Sequence, residues 1–183
     1  IRALLDSYGE HYAVGETFMP TPRKAASYCA PGLLHAAFDF SLLESPWKPA
    51  RFLSAIQRWE DALHAESWPT NVLGNHDVRR LASRYGRGED DERLKVAAAL
   101  LLPLRGTPFI YYGDEIGMRD ISLPREKILD PVGKRYWPFH RGRDGCRAPM
   151  QWDASENAGF SPAEPWLPVH PDYHERNIAA QRA

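Results

Sequence analysis

The chain has 183 residues, the length of one domain or a little more, and its 43% hydrophobic and 26% charged residues are the balance of a globular protein. A formal net charge of −1 offers neither the basic surplus of a nucleic-acid binder nor an acidic solvating tract, so no nucleic-acid partner is expected. The longest apolar run, VAAALLLPL over 96–104, falls far short of the roughly 20 residues a membrane span needs, so no membrane partner is expected either.

HYAVGE (11–16) is short and β-leaning, and it ends at a glycine followed by Glu16. TPRKAASYCA (21–30) reads as a helix with Thr21 as N-cap and Pro22 at the first position. GLLHAAFDF (32–40) is an apolar run closing on a carboxylate and an aromatic ring. In SPWKPARFLSAIQRWEDAL (45–63), Phe52, Ile56, Trp59 and Leu63 recur at helical spacing and give one apolar face. TNVLGNHD (70–77) reads as a strand that ends in an amide, an imidazole and a carboxylate side by side. Such a trio is costly to hold together unless a polar ligand sits above it. Residues 90–106 open on acidic side chains and close on Arg105 and Gly106, the charges and stop signal of a helix. TPFIYYGDE (107–115) is a fourth strand.

Strand and helix alternate, which predicts parallel strands with crossover helices. Glu16 and Asp77 are separated by about two βα units of ~30 residues each. In each strand the informative polar residue stands at the C-terminal end. Both closed (β/α)₈ barrels and open doubly wound sheets place ligands there, so position by itself leaves the two open. After Gly117 the pattern stops. Residues 118–170 hold seven prolines and the Arg- and Asp-dense stretch HRGRDGCRAPMQWD (140–153), and Trp137, Phe139, Met150, Trp152 and Phe160 argue for an ordered lid rather than disorder. YHERNIAAQRA (173–183) starts another helix.

Together these stretches resemble the alpha-amylase family of glycoside hydrolases, in particular bacterial alpha-glucosidases and oligo-1,6-glucosidases. AVGETFMP (13–20) looks like the end of the fifth barrel strand and HAAFDFSLL (35–43) the sixth. NVLGNHDVRR (71–80) is similar to the seventh and GTPFIYYGDEIGM (106–118) to the eighth. GRDGCRAPMQW (142–152) resembles the signature in the long loop that follows. The resemblance implies an α/β fold, a partial TIM (β/α)₈ barrel. Residues 1–117 would form βα units, 118–172 a substrate-site loop, and 173–183 the start of the last barrel helix. It implies that Glu16 is the general acid/base and Asp77 the carboxylate that stabilises the transition state. His76 would bond sugar hydroxyls, while Arg147 and Arg143 would grip the non-reducing terminal glucose of an oligosaccharide. Such retaining chemistry joins one carboxylic acid, which protonates the leaving oxygen, to a carboxylate nucleophile.

The family's nucleophile, an Asp in a Gly-Phe-Arg-x-Asp segment on the fourth strand, has no counterpart in these 183 residues. The chain is therefore expected to be the C-terminal half of a barrel, inactive by itself and completed by the missing N-terminal half or by self-association. It lacks an initiator Met and a signal-peptide pattern, and with only Cys29 and Cys146 it is expected to be a cytoplasmic piece of a longer polypeptide. An open half-barrel would leave an apolar face exposed, on or beside which Val14, Phe38, Val72, Leu73, Phe109 and Tyr111 are expected. Transfer, isomerisation and a non-catalytic binding module stay open as alternatives.

Single motifs also have plainer readings. Glu16 can be an ordinary surface acid, and Asn75-His76-Asp77 can cap a helix. An HD pair suits metal-dependent phosphohydrolases, but no further His and Asp ligands stand at convincing spacing, and no metal or cofactor is expected. His170 and His174 are expected to be solvated, Asp114 and Glu115 to be structural or supporting acids, and Asp39 with Phe40 to be strand-end packing.

Overall fold

A computed structural model describes residues 1–86, 88 and 91–182. Asp90, at the expected start of the 90–106 helix, and Ala183, at the end of the last one, lie outside the described residues. The chain divides into two compact units, one of residues 1–73 and 97–109, the other of residues 74–96 and 110–183.

The four strands among the described residues belong to the first unit: β1 (Val14–Gly15), β2 (Ala36–Ala37), β3 (Thr70–Val72) and β4 (Thr107–Phe109). They form two parallel pairs, β1 with β2 and β3 with β4, in the register Val14↔Ala36 and Thr70↔Thr107. The expected single run of neighbouring strands is thus two separate ladders. Between them the link is a side chain, as the Thr70 hydroxyl donates to the Ala37 carbonyl at 2.9 Å. β3 therefore has β4 on one side and the β2 carbonyl on the other, which is why Val72 and Leu73 are buried, at 3% and 1% exposure, instead of lining an open face. Val14, Phe38 and Phe109 are half-buried.

The helices of this unit follow their sequence signals. Helix α1 (Arg2–Asp6) opens the chain. In α2 (Pro22–Ala26) the Thr21 hydroxyl accepts from the Lys24 N–H at 3.3 Å and Pro22 sits in the first turn. Helix α3 (Pro49–Ala62) buries Phe52, Ala55 and Trp59 on one face, and Trp59 packs on Ala25 and Ala26 of α2. At the far end of the unit, Gly106 has φ +119, and a Cβ there would stand 2.6 Å from the Pro69 carbonyl. Only glycine allows the chain to turn so closely into β4.

The second unit holds the short helix α4 (Leu81–Tyr85) and the start of α5 (Glu92–Leu101), which runs across the division. Helix α5 ends at Leu101, earlier than the expected Arg105, because Pro103 has no N–H to continue it and disfavours helical backbone just before itself. The expected fourth strand is also cut short. Past Phe109 the chain turns through Gly113, at φ +85, into a 3₁₀ turn at Asp114–Ile116. The remaining segment is mostly irregular, with one six-residue helix, α6 (Pro131–Tyr136), and α7 (Ile178–Arg182) near its end.

Apolar clusters among the described residues hold this unit, Ile116, Met118 and Met150 against Ile178, and Ile121, Leu123, Ile128, Ala148 and Leu167 against Trp137. Arg80 is fully buried beside them. Its guanidinium lies against the Tyr111 and Tyr112 rings, and Nη1 donates to the Tyr112 carbonyl at 2.6 Å. His170 is not the solvated side chain expected. It accepts from the Asp172 N–H at 3.3 Å and approaches that carboxylate to 2.7 Å, because it caps the 3₁₀ turn Pro171–His174. No helix among the described residues is long and apolar enough to cross a membrane.

Candidate active site

Glu16 follows β1 directly, at the C-terminal end of the strand, and is exposed. The neighbouring Thr17 hydroxyl donates to the Phe38 carbonyl at 3.0 Å, which ties the residue after Glu16 to the chain leaving β2. Aromatic rings gather at the same ends of the strands. Phe38 stacks on Phe40 at 5.8 Å and meets Phe109 edge-on at 4.7 Å, and Phe18 lies 6.1 Å from Phe40. Asp39 is buried and accepts from the Ser41 N–H and hydroxyl, a local turn in keeping with strand-end packing.

The second unit brings His76, Asp77, Arg143 and Arg147 together. After Gly74 the Asn75 side chain organises the turn: its Oδ1 accepts from the N–H groups of Asp77, at 2.9 Å, and Val78, at 3.1 Å. The trio caps no helix, since the next one begins at Leu81 with Arg80 as its N-cap; Asn75 closes a side-chain turn instead, and His76 and Asp77 are exposed. Asp77 Oδ1 accepts from Arg143 Nη1 and Arg147 Nη2, each at 3.0 Å. His76 Nε2 lies 3.5 Å from the same oxygen, too far for a good hydrogen bond. Asp77 Oδ2 has no hydrogen bond among the described residues, so one carboxylate oxygen is braced by two guanidinium groups and the other is unbraced, in a side chain 40% exposed. A cavity of about 710 Å³ opens here, with Asp77, Arg143, Cys146, Asp120, Phe139 and Arg141 among its walls.

Arg143 is itself held from behind. Its Nη2 and Nε donate to Asp130 at 2.9 and 3.2 Å, and its backbone N–H donates to Asp130 at 2.7 Å. Asp130 also caps α6, accepting from the Val132 N–H at 3.4 Å. Asp144, buried in the turn before Arg147, accepts from the Leu129 and Asp130 N–H groups at 2.7 and 2.9 Å and so positions the Asp130 backbone. Sequence reasoning did not single out Asp130, although Asp followed by Pro131 is the signature of a helix start. It gave no weight to Asn75 as a turn-former, and no local signal marks Asp120.

Two acids in this unit titrate in opposite senses. The bonds from Arg143 hold Asp130 down to about 2, and burial pushes Asp114 up to about 6. One Asp114 carboxylate oxygen is buried without a hydrogen-bond partner among the described residues. The stability that Asp130 contributes is full above the ordinary carboxylate value of about 4 and is lost as pH falls through about 2. For Asp114 the native state takes up its proton more readily than the unfolded chain. Its contribution is full below about 4 and is lost as pH rises through about 6. Thermal melts of the natural polypeptide are therefore expected to lose a few degrees between pH 4 and 6, and Asp114→Asn is expected to flatten that slope. Asp130→Asn is expected to lower the midpoint at pH 7 and to reduce its fall below pH 4. A pH 4–6 slope unchanged by Asp114→Asn would remove that acid from the account.

The first unit thus carries parallel strands with Glu16 at the end of one of them, and the second a carboxylate braced by two arginines of the loop, within an α/β chain. The family model of the alpha-amylase catalytic domain matches residues 1–183, and the chain belongs to that family. The oligo-1,6-glucosidase of Parageobacillus thermoglucosidasius is 33% identical over an alignment of 215 residues that covers 98% of this chain and 38% of that protein. Among solved structures, an alpha-glucosyl transfer enzyme superposes with a TM-score of 0.92 at 34% identity, covering 99% of this chain and 34% of that one. A mutant isomaltulose synthase from Erwinia rhapontici NX5, in complex with D-glucose, gives a TM-score of 0.84 at 27% identity, covering 97% of this chain and 38% of that one. The chain thus spans little more than a third of the length of these relatives.

Proposed function

We propose that residues 1–183 are part of a retaining alpha-glucosidase that releases terminal alpha-linked glucose from oligosaccharides such as maltose or isomaltose. In this reading they span roughly barrel strands five to eight, residues 118–172 form the substrate-site loop, and 173–183 begin the last barrel helix. The observation that carries the reading is Asp77, braced through one oxygen by Arg143 and Arg147 and open through the other at a cavity wall.

Glu16 acts as general acid, passing its proton to the glycosidic oxygen as the bond from that oxygen to the anomeric carbon breaks. A carboxylate nucleophile from chain outside residues 1–183 forms an ester with the anomeric carbon. Water then attacks that carbon, Glu16 takes back a proton, and the carboxylate leaves. Asp77 stabilises the positive charge that develops on the sugar in both steps, as a preorganised charge does best. His76 bonds a sugar hydroxyl beside it. Arg147 spends Nε and Nη2 on His76 and Asp77, and its Nη1, with no partner among the described residues, is left for a hydroxyl of the terminal glucose.

The nucleophile comes from chain outside residues 1–183, and the rest of the barrel from that chain or from a second copy, so residues 1–183 are inactive by themselves. The free thiols of Cys29 and Cys146 support a cytoplasmic setting. A second reading has a sugar hydroxyl, in place of water, accept the glucosyl group, giving transfer or isomerisation. The likeness to a transfer enzyme and to a synthase supports it.

The test gives the natural polypeptide containing residues 1–183 maltose, isomaltose and a nitrophenyl alpha-glucoside, and reads the first product by NMR. Alpha-glucose is the expected product, and a new disaccharide would select the second reading. Beta-glucose, or no turnover of any of the three, would sink both.

A further inference from the structure

The peptide unit between His76 and Asp77 is held on both edges. On one edge, Asn75 Oδ1 accepts the Asp77 N–H at 2.9 Å, and it also accepts the N–H of the next peptide, that of Val78, at 3.1 Å. On the other, the His76 carbonyl accepts from Arg147 Nε at 2.9 Å, and the Cys146 thiol lies 3.3 Å from the same oxygen. That thiol also stands 3.1 Å from the Arg143 carbonyl, so its one proton is shared between two acceptors. Cys146 is in turn tied down, since its carbonyl accepts from the Tyr111 hydroxyl at 3.2 Å. The turn begins on a crowded base: a Cβ on Gly74 would stand 2.7 Å from the Asp114 carboxylate.

Every one of these bonds acts on backbone, and Asn75 makes none to the Asp77 carboxylate. What they fix is the plane from which the Asp77 side chain departs. We infer that Asn75 is a positioning residue for Asp77: its amide oxygen locks the 76–77 peptide against the Arg147 and Cys146 side, so that the carboxylate stands where charge develops on the sugar. The inference rests on the reading of Asp77 as the stabilising carboxylate. Asparagine suits the task because its short acceptor reaches the N–H two residues on without adding charge beside Asp77. Losing the lock frees the peptide to rotate. A displacement of ~1 Å at a reacting centre can cost on the order of 10²-fold in rate, while leaving substrate binding nearly intact.

The test is a coupled set of variants in the natural polypeptide, assayed on a nitrophenyl alpha-glucoside, with melting temperatures measured on the same samples. Asn75→Ala is expected to lower kcat about ten- to a hundredfold with KM within about threefold. Asn75→Ser, which keeps an acceptor at that position, is expected to recover most of the loss. With Asp77→Asn already present, adding Asn75→Ala is expected to lower kcat less than about threefold further, because the group it positions has lost its charge. A purely structural role predicts the reverse, an equal loss in both backgrounds. That equal loss, or wild-type kcat in Asn75→Ala, overturns the inference while leaving the role of Asp77 intact. An unchanged kcat in Asp77→Asn alone overturns the reading of Asp77, and the role of Asn75 with it.

Discussion

Replacing Glu16 with Gln is expected to lower kcat on maltose by about 10²- to 10⁴-fold, the range that a positioned general acid contributes. The loss should depend on the leaving group. A sugar alkoxide needs a proton as it departs, whereas a nitrophenolate is stable without one. The first step on a nitrophenyl alpha-glucoside is therefore expected to suffer much less than the same step on maltose. Pre-steady-state release of nitrophenol, compared with glucose release from maltose, separates the two. Glu16 is exposed just past β1 and makes no side-chain hydrogen bond among the described residues, so the substitution is expected to leave the melting temperature within about 2 °C of the parent. Equal losses on both substrates would point away from an acid and towards a residue that binds the glucose ring.

Asp77→Asn is expected to lower kcat by about 10²- to 10³-fold, as removal of one preorganised charge-stabilising group does elsewhere. Two costs compete in this variant, and their sizes differ. Structurally, Arg143 and Arg147 lose a shared carboxylate, but all three side chains are partly exposed, at 29–40%. Ion pairs of that kind contribute at most about 1 kcal/mol. Arg143 also keeps its bonds to Asp130, and Arg147 its bond to the His76 carbonyl. Catalytically, the loss corresponds to about 2.7–4 kcal/mol in the transition state. The variant should therefore melt within about 4 °C of the parent while turning over hundreds of times more slowly. Calorimetry and kinetics on one preparation check both halves. A fall in activity that tracks a fall in melting temperature would show that Asp77 is needed for the fold and not for the chemistry.

Much of the local structure is legible in the sequence. The apolar stripe of Phe52 and Trp59 announced α3, and the Thr21–Pro22 pair announced α2. Those signals work because a helix is held by contacts three and four residues apart. The strand ends were less legible. TPFIYYGDE reads as nine residues of strand, yet only Thr107–Phe109 pair, because strand length depends on how far the partner strand extends. Residue types marked Asn75, His76 and Asp77 as a polar trio worth explaining, while Arg143 and Arg147 stood out only through the resemblance to the alpha-amylase family.

The order of secondary elements and the identity of the polar residues at strand ends are thus written in the sequence of this protein. Tertiary structure alone decided that Asp77 is braced by Arg143 and Arg147, 66 and 70 residues further along the chain. It also decided that Asp130 anchors Arg143, that one Asp114 carboxylate oxygen is buried without a partner among the described residues, and that the Asp77 peptide is locked on both edges. The physical reason is range. Propensity and capping act within a turn or two of chain, whereas a charge-assisted hydrogen bond requires two groups within about 3 Å, and only the folded path of the backbone brings distant residues that close.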